Sequence, residues 1–310
     1  MRMHTTTGRW RLGLALTLVT TLSWGVLPIA LKIMLGVMDA VTVTWYRFLI
    51  ASVLLFSILI HRKRISGFER LKGKRIGLFL LAAVGLAGNY VVYLWGLRHL
   101  TPSTAQVVVQ LAPMLLLIGG VFVFHEHFQP LQWAGFAVFF LGMVLFFNQK
   151  LEEIVLHRTA YSVGVGLVVG SALLWTMYAM VQKQLLKAFS SESIMLLLYV
   201  TSALLLLPGT QPSTLFRLDA THLLVLAFCG LNTLIAYGSF AEALDHWEAS
   251  RVSAVLTLIP LITVVATKAA SGWWPHLVAP ERLNTLNLLG ALLVVSGSML
   301  CALRKPTASA

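Results

Sequence analysis

Ten runs of roughly 20 apolar residues follow one another along this chain, long enough to cross a bilayer as helices. They lie near 12–35, 40–60, 76–97, 101–123, 131–148, 162–182, 193–208, 221–241, 251–271 and 286–303. In hydrocarbon each backbone N–H and C=O must find a partner inside the protein, and a helix supplies one for nearly all of them. Charged residues make up only 11% of the chain, against about 25% in a soluble domain. The expectation is an all-α integral membrane protein of the inner-membrane type, with almost no soluble domain.

The first run follows Arg9-Trp-Arg11 but carries Trp24, Gly25 and Pro28 and shows no small-residue cleavage site. It reads as a retained helix rather than a signal peptide. Cys229 and Cys301 each fall inside an apolar run, so they read as small buried hydrophobes and not as a disulfide framework. The net charge of +12 does not indicate nucleic acid once its placement is considered. With the N-terminus cytoplasmic, fifteen Lys and Arg fall on inside segments, six outside, and Arg47 and Lys268 within spans. Ten spans with cytoplasmic N- and C-termini follow from that bias. The basic block between 61 and 75 is a topology determinant, with anionic lipid as an added contact.

The chain is also written twice, and duplication constrains topology. Adding 147 sends Leu97 to Leu244, Ser103 to Ser250, Gln106 to Ser253, Gln110 to Thr257 and Pro113 to Pro260. An offset of 155 sends Glu126 to Glu281, Gly135 to Gly290 and Gly142 to Gly297, the difference being an insertion around Gly272-Trp-Trp-Pro275. Upstream, an offset of 151 maps Thr20 to Ser171, Trp24 to Trp175 and Lys32 to Lys183. The organisation is thus residues 1–150 with five spans, a linker at 151–160, and residues 161–310 with five more. Five is odd, so the second copy enters the membrane from the opposite face. Two such halves are related by a pseudo-two-fold axis in the membrane plane, an arrangement that characterises secondary transporters.

Ser23-Trp24-Gly25, Arg47-Phe48 in the second run and the two copies of the Pro, Glu, Gly-x6-Gly pattern resemble the EamA family of the drug/metabolite transporter superfamily. The likeness covers essentially the whole chain. It departs at His125-Glu126-His127, where a glycine and an arginine commonly flank the acidic residue, and at the insertion 272–279. The resemblance implies ten helices as two five-helix inverted repeats around a central cavity lined by spans one to four and six to nine. It implies that spans five and ten are peripheral, often at a dimer contact, so a homodimer is expected.

Helical spacing points to the residues of a pathway. Gln106, Gln110, Pro113 and Leu117 share one face of span four; Ser253, Thr257, Pro260, Val264 and Lys268 share one face of span nine. Amides and hydroxyls are costly against lipid, so both faces turn inward. Each proline removes a donor and frees the carbonyl four residues earlier, at Val109 and Leu256. Such faces line a cavity or glue helices together. Ser171, Trp175, Tyr178 and Gln182 form a third face, with Trp24 the copy of Trp175; Asn89, Tyr90 and Tyr93 cluster in span three, with Tyr237 the copy of Tyr90. A pocket of amides walled by Trp and Tyr fits a small organic molecule with polar and apolar parts.

No carboxylate lies in the interior of any run, Glu242 at the end of span eight being the nearest. Lys268, near its helix end, reads as snorkelling to the interface. Arg47 is placed to pair with Asp39, two turns earlier, or with a substrate carboxylate held bidentately. Proton relays usually need an intramembrane acid or His, and no phosphate-binding loop of the ATPase type is present. The expectation is facilitated diffusion or exchange without a cofactor, with proton-coupled antiport as the alternative. His125-Glu126-His127 has the wrong spacing for two histidines on one helix face and reads as a solvated loop, not a metal site. Glu126 and Glu281 are expected at the starts of spans five and ten, where the helix dipole favours them. Gly166 with Gly170, Gly135 with Gly142, and Gly290 with Gly297 are expected at close helix contacts.

The function expected from these readings is export of small organic metabolites, amino acids or related carboxylates, by alternating access. The alternatives are an interaction or channel protein, which the repeat permits but the prolines do not specially suggest, and a membrane enzyme acting on a lipid-linked substrate. The enzyme needs clustered acids or histidines at one membrane face, for which loops 125–127 and 242–251 are weak candidates, so no enzyme is expected.

Overall fold

The computed structural model describes residues 7–63, 71–124, 129–186 and 188–302. Regular structure among them is helical: α1 Trp10–Met34, α2 Ala40–His61, α3 Lys74–His99, α4 Pro102–Val109, α5 Leu111–Phe124, α6 Pro130–Phe146, α7 Leu151–Leu156, α8 Ala160–Leu185, α9 Ser191–Leu206, α10 Ala220–His246, α11 Ala249–Leu256, α12 Ile259–Trp273 and α13 Thr285–Ala302, with 3₁₀ turns after α9. Nine stretches are long and apolar enough to cross a membrane, counting α4 with the start of α5 as one and most of α11 with α12 as another. The shorter apolar helix α6, of 17 residues, completes ten. All ten expected runs are therefore helices, two of them interrupted.

The sequence offsets reappear in the helix boundaries. Asp39 caps α2, accepting from the N–H groups of Val41 at 2.9 Å and Thr42 at 3.0 Å. At an offset of 151, Ser190 caps α9 by accepting from Ser193 N–H at 3.3 Å. Shifting α4 by 147 residues gives the bounds of α11, and Pro130 shifted by 155 gives Thr285, the first residue of α13. A polar side chain at these positions satisfies orphan N–H groups of the first turn.

Contacts group the chain into two compact units. One comprises Met1–Ile29, Pro102–Ser162 and Ile235–Ala310, and the other Ala30–Thr101 and Val163–Leu234. Each therefore draws helices from both copies of the repeat.

In the first unit α6 packs on α13 through glycines. A Cβ built on Gly135 would lie 2.8 Å from Gly297 O, and one on Gly142 would lie 2.8 Å from Gly290 O. As the numbering rises by seven on one helix it falls by seven on the other, so the pair is antiparallel. Exchanging the helices through the offset of 155 turns each contact into the other. A self-complementary contact of that kind is what a two-fold axis across the helices produces. Asn284 and Asn287 close the start of α13 with reciprocal N–H···Oδ1 bonds of 2.7 Å, and Asn287 Nδ2 donates to Phe146 O at the end of α6.

The second unit has an aromatic and aliphatic core running through α2, α3, α8 and α9, including Phe48, Tyr90, Tyr178 and Tyr199. Phe48 stacks on Tyr199, centroids 5.9 Å apart at 30°; the two stand 151 residues apart and are again copies of one position. Lys32 Nζ ties α1 to the end of α3, donating to the carbonyls of Leu97, Arg98 and Leu100 at 2.8–2.9 Å.

One glycine expectation differs. The expected contact at Gly166 and Gly170 is not made among the described residues: a Cβ on Gly166 meets nothing within 4 Å, and one on Gly170 meets Val92 at only 3.9 Å. Gly164 makes the close approach, to His99 Cβ at 2.8 Å and Leu100 at 3.0 Å, and its copy Gly13 does the same against Trp247. Gly164 lies seven residues before Ser171 and shares its face; Gly166 is turned about 200° away.

Candidate functional site

In the first unit, the spans that carry Pro113 and Pro260 each break one turn before the proline. The α4–α5 helix is interrupted at Gln110, whose N–H reaches Val107 O at 3.2 Å in a tighter turn. The α11–α12 helix is interrupted at Thr257 and Leu258; Leu258 N–H reaches Val255 O at 3.1 Å. Proline cannot donate and its ring pushes on the carbonyl four residues back, so the break falls where the sequence frees Val109 and Leu256. Gln110 Nε2 then donates to Thr257 O at 3.4 Å, while Thr257 Oγ1 turns back to Ala254 O at 2.7 Å. Gln106, Gln110, Thr257 and Pro260 are buried, and Ser253 and Pro113 are half-buried.

Trp24 is carried by α1, which meets α12 and α10. Thr263 Oγ1 donates to Gly25 O at 2.7 Å, and a Cβ on Gly25 would meet Ile262 at 2.5 Å. Trp24 itself is half-buried and meets Tyr237 edge-on, centroids 5.2 Å apart at 69°, with Phe240 at 5.9 Å. Thr20 Oγ1 donates to Ala236 O at 3.2 Å. The structure thus brings Trp24 and Tyr237 together, as it does Gln110 and Thr257.

In the second unit, Arg47 is 3% exposed and is the sole buried Lys or Arg among the described residues. Its guanidinium carbon lies 4.5 Å from the Tyr90 ring centroid, a cation–π contact. Its Nε donates to Thr233 Oγ1 at 3.3 Å. Thr233 Oγ1 in turn donates to Cys229 O at 3.0 Å, and Tyr199 OH reaches Thr233 O at 3.5 Å. The pairing of Arg47 with Asp39 is not formed: Asp39 is the cap of α2, and no ion pair of Arg47 joins a carboxylate among the described residues. Tyr90 also meets Phe48, centroids 4.7 Å apart.

The other candidates in this unit divide between helix packing and open polar groups. Asn89 Nδ2 donates to Ser171 O at 2.8 Å, and Ser171 Oγ to Val168 O at 2.7 Å. The contact of Asn89 with Ser171 is the repeat copy of Thr20 with Ala236. Tyr178 OH and Gln182 Nε2 both approach Met195 Sδ, at 3.5 and 3.3 Å, so this part of the α8 face is turned to α9. Trp175 packs on the core of the unit. Tyr93 OH is buried with no hydrogen-bond partner among the described residues. Thr233, Tyr199 and Met195 were missed from sequence; Thr233 is one turn before Tyr237 on α10, and Tyr199 is the copy of Phe48, so both had a signal.

Among the charges, Lys268 is exposed. The expectation for Glu281 is corrected: it does not cap α13, which begins at Thr285, but accepts from Ser103 N–H at 3.1 Å in the first turn of α4. The carboxylate does sit at a helix N-terminus, that of α4 rather than α13. Glu242 pairs with His246, Oε1 to Nε2 at 3.3 Å. His125, Glu126 and His127 lie outside the described residues, and the described residues hold no cluster of three or more metal-ligating side chains.

Comparison with known proteins adds a family. The family model of EamA-like transporters matches residues 11–148 and 162–303. A protein of Escherichia coli K12 named as an uncharacterized inner membrane transporter, YhbE, is 39% identical over 94% of this chain and 91% of its own length. A Haemophilus influenzae protein named as an uncharacterized transporter is 38% identical over 94% of this chain and 95% of its own. At 25% identity, over 91% of this chain and 92% of the relative, stands a Salmonella typhimurium protein named as a probable amino-acid metabolite efflux pump. A solved crystal structure, 18% identical, superposes with a TM-score of 0.63 over 94% of this chain and 97% of that one, a likeness of fold.

Proposed function

Because the chain belongs to the EamA-like transporter family, we propose that it carries small organic metabolites, amino acids or related carboxylate-bearing compounds, out of the cell by alternating access. It is a multi-pass inner-membrane transporter; its cargo class, direction and energetics are the proposal. The distant relatives named as amino-acid metabolite efflux pumps support the cargo class.

The observation that carries the reading is the bond from Gln110 to Thr257 O. It joins two helix interruptions that are copies of each other, each one turn before a proline. Interrupted backbone is tolerated at membrane depth only inside protein or along a cavity. Transporters of this build place substrate sites at such interruptions. The polar faces carrying Gln106, Gln110, Ser253 and Thr257, and the aromatic pair Trp24 and Tyr237, are the groups we assign to the pathway in the first unit. The cycle runs as facilitated diffusion or exchange, since Glu242, at one end of α10, is the nearest acid to a span interior.

The test is counterflow in proteoliposomes: preloaded amino acid should drive uptake of labelled amino acid without an ion gradient. Uptake that requires an imposed pH gradient would instead establish proton-coupled antiport. Impermeant labelling of cysteines placed at Lys150 and Lys183 should reach them from opposite faces; labelling from one face would end the inverted topology and the carrier cycle with it.

A further inference from the structure

Arg47 carries more donors than the protein uses. A guanidinium has five N–H groups and no acceptor. Among the described residues only Nε is bonded, to Thr233 Oγ1 at 3.3 Å, and one planar face is covered by Tyr90. The four Nη hydrogens, at the edge of the fork, have no acceptor there. A charge taken this far from water is costly unless an opposite charge compensates it. The groups that meet it among the described residues, the Thr233 hydroxyl and the Tyr90 ring, are neutral. Tyr93 OH, within electrostatic reach of Arg47, is buried without a partner. Thr44, one turn before Arg47 on α2, and Ser202, one turn beyond Tyr199 on α9, also hold buried hydroxyls without partners.

We propose that Arg47, with Tyr93 and Thr233, is a binding site in the second unit for a single carboxylate group. The flat fork matches the two oxygens of a carboxylate. One buried cation balances one negative charge; a dianionic phosphate would exceed it, and no second buried Lys or Arg is present among the described residues to share the load. Thr233 fixes the guanidinium through Nε, Tyr90 holds its plane, and Tyr93 offers an O–H to the anion. The inference deepens the transport reading, in which this carboxylate belongs to the cargo.

The experiment uses the purified protein in detergent and follows thermal unfolding against butyrate and benzoate, with butyramide and benzamide as isosteres and ionic strength held with potassium chloride. Both acids should raise the melting temperature saturably, and neither amide should. R47Q should abolish the shift. R47K, which keeps the charge and loses the fork, should weaken apparent affinity at least tenfold. Y93F should weaken it several-fold; it removes only a hydroxyl and serves as the folding-neutral variant if R47Q does not fold. Equal shifts from acids and amides, an equal shift from nitrate, or an unchanged response in R47K and Y93F would overturn the proposal. Failure here is distinguishable from failure of the transport reading. Counterflow without a carboxylate-specific shift removes the anchor and leaves the carrier, whereas a carboxylate-specific shift without counterflow leaves the site and removes the cycle.

Discussion

Gln110 and Thr257 occupy the same position in the two copies of the repeat, and the side chain of the first donates to the backbone oxygen of the second at 3.4 Å. Residues related by a duplication meet each other only where the local two-fold axis passes. The same holds for Phe48 and Tyr199 in the other unit, stacked at 5.9 Å.

Gln110→Leu should therefore act on function more than on folding. It leaves Thr257 O without its donor, a loss of about 1 kcal/mol by the usual measure of interhelical bonds in membranes. Denaturation in mixed micelles should register that small change. Counterflow should fall tenfold or more, and flux equal to wild type would remove Gln110 from the pathway.

The helix count and the break points were legible because apolar runs and prolines act locally: the carbonyls at Val109 and Leu256 could be named from sequence alone. The bond that joins the two breaks was not, since it depends on which residue faces which across a helix pair. Arg47 shows the same limit. Its isolation from span-interior acids is readable, but sequence spacing offers Asp39 as a partner, and the structure gives that carboxylate to the N–H groups of Val41 and Thr42. The small-residue pattern failed for a related reason. Gly166-x3-Gly170 has the right spacing on the wrong face, while Gly164 sits on the face already marked by Ser171 and makes the contact.

Glycine substitutions separate these cases. Gly142→Ala places a Cβ 2.8 Å from Gly290 O, against backbone that cannot yield as a flexible side chain would. Overpacking of that kind costs about 1–3 kcal/mol. Gly166→Ala meets nothing within 4 Å and should be neutral or stabilising by up to about 1 kcal/mol through helix propensity. Urea-induced unfolding in mixed micelles ranks the pair, and a Gly166→Ala variant as damaged as Gly142→Ala would contradict the packing described.

Lys32 closes the carboxyl end of α3 with its ammonium, which donates to three carbonyls. The positive charge also suits the negative end of the helix dipole. Lys32→Met retains the stem and removes every donor, so it should cost about 1–3 kcal/mol. The loss should appear locally, as faster amide exchange at Leu97 to Leu100 with little change in α6 or α13.

The segment between the two copies supplies a pH test outside the spans. Glu153 Oε2 accepts from Lys150 Nζ at 2.6 Å and Oε1 from Thr159 Oγ1 at 2.6 Å. The Lys150 bond chiefly, and then the Thr159 bond, hold its carboxyl below the usual glutamate range. A carboxylate whose pKa is lower folded than unfolded contributes stability that is fully present above the unfolded value, near 4.5. That contribution is lost as pH falls through the folded value. The effect is local and screened, because the group is partly open to solvent. Amide exchange in α7, followed from pH 6 down to pH 3, should show protection that holds through the ordinary carboxylate range and fails below it. Glu153→Gln should remove the step; a step that persists in that variant assigns the titration to another acid.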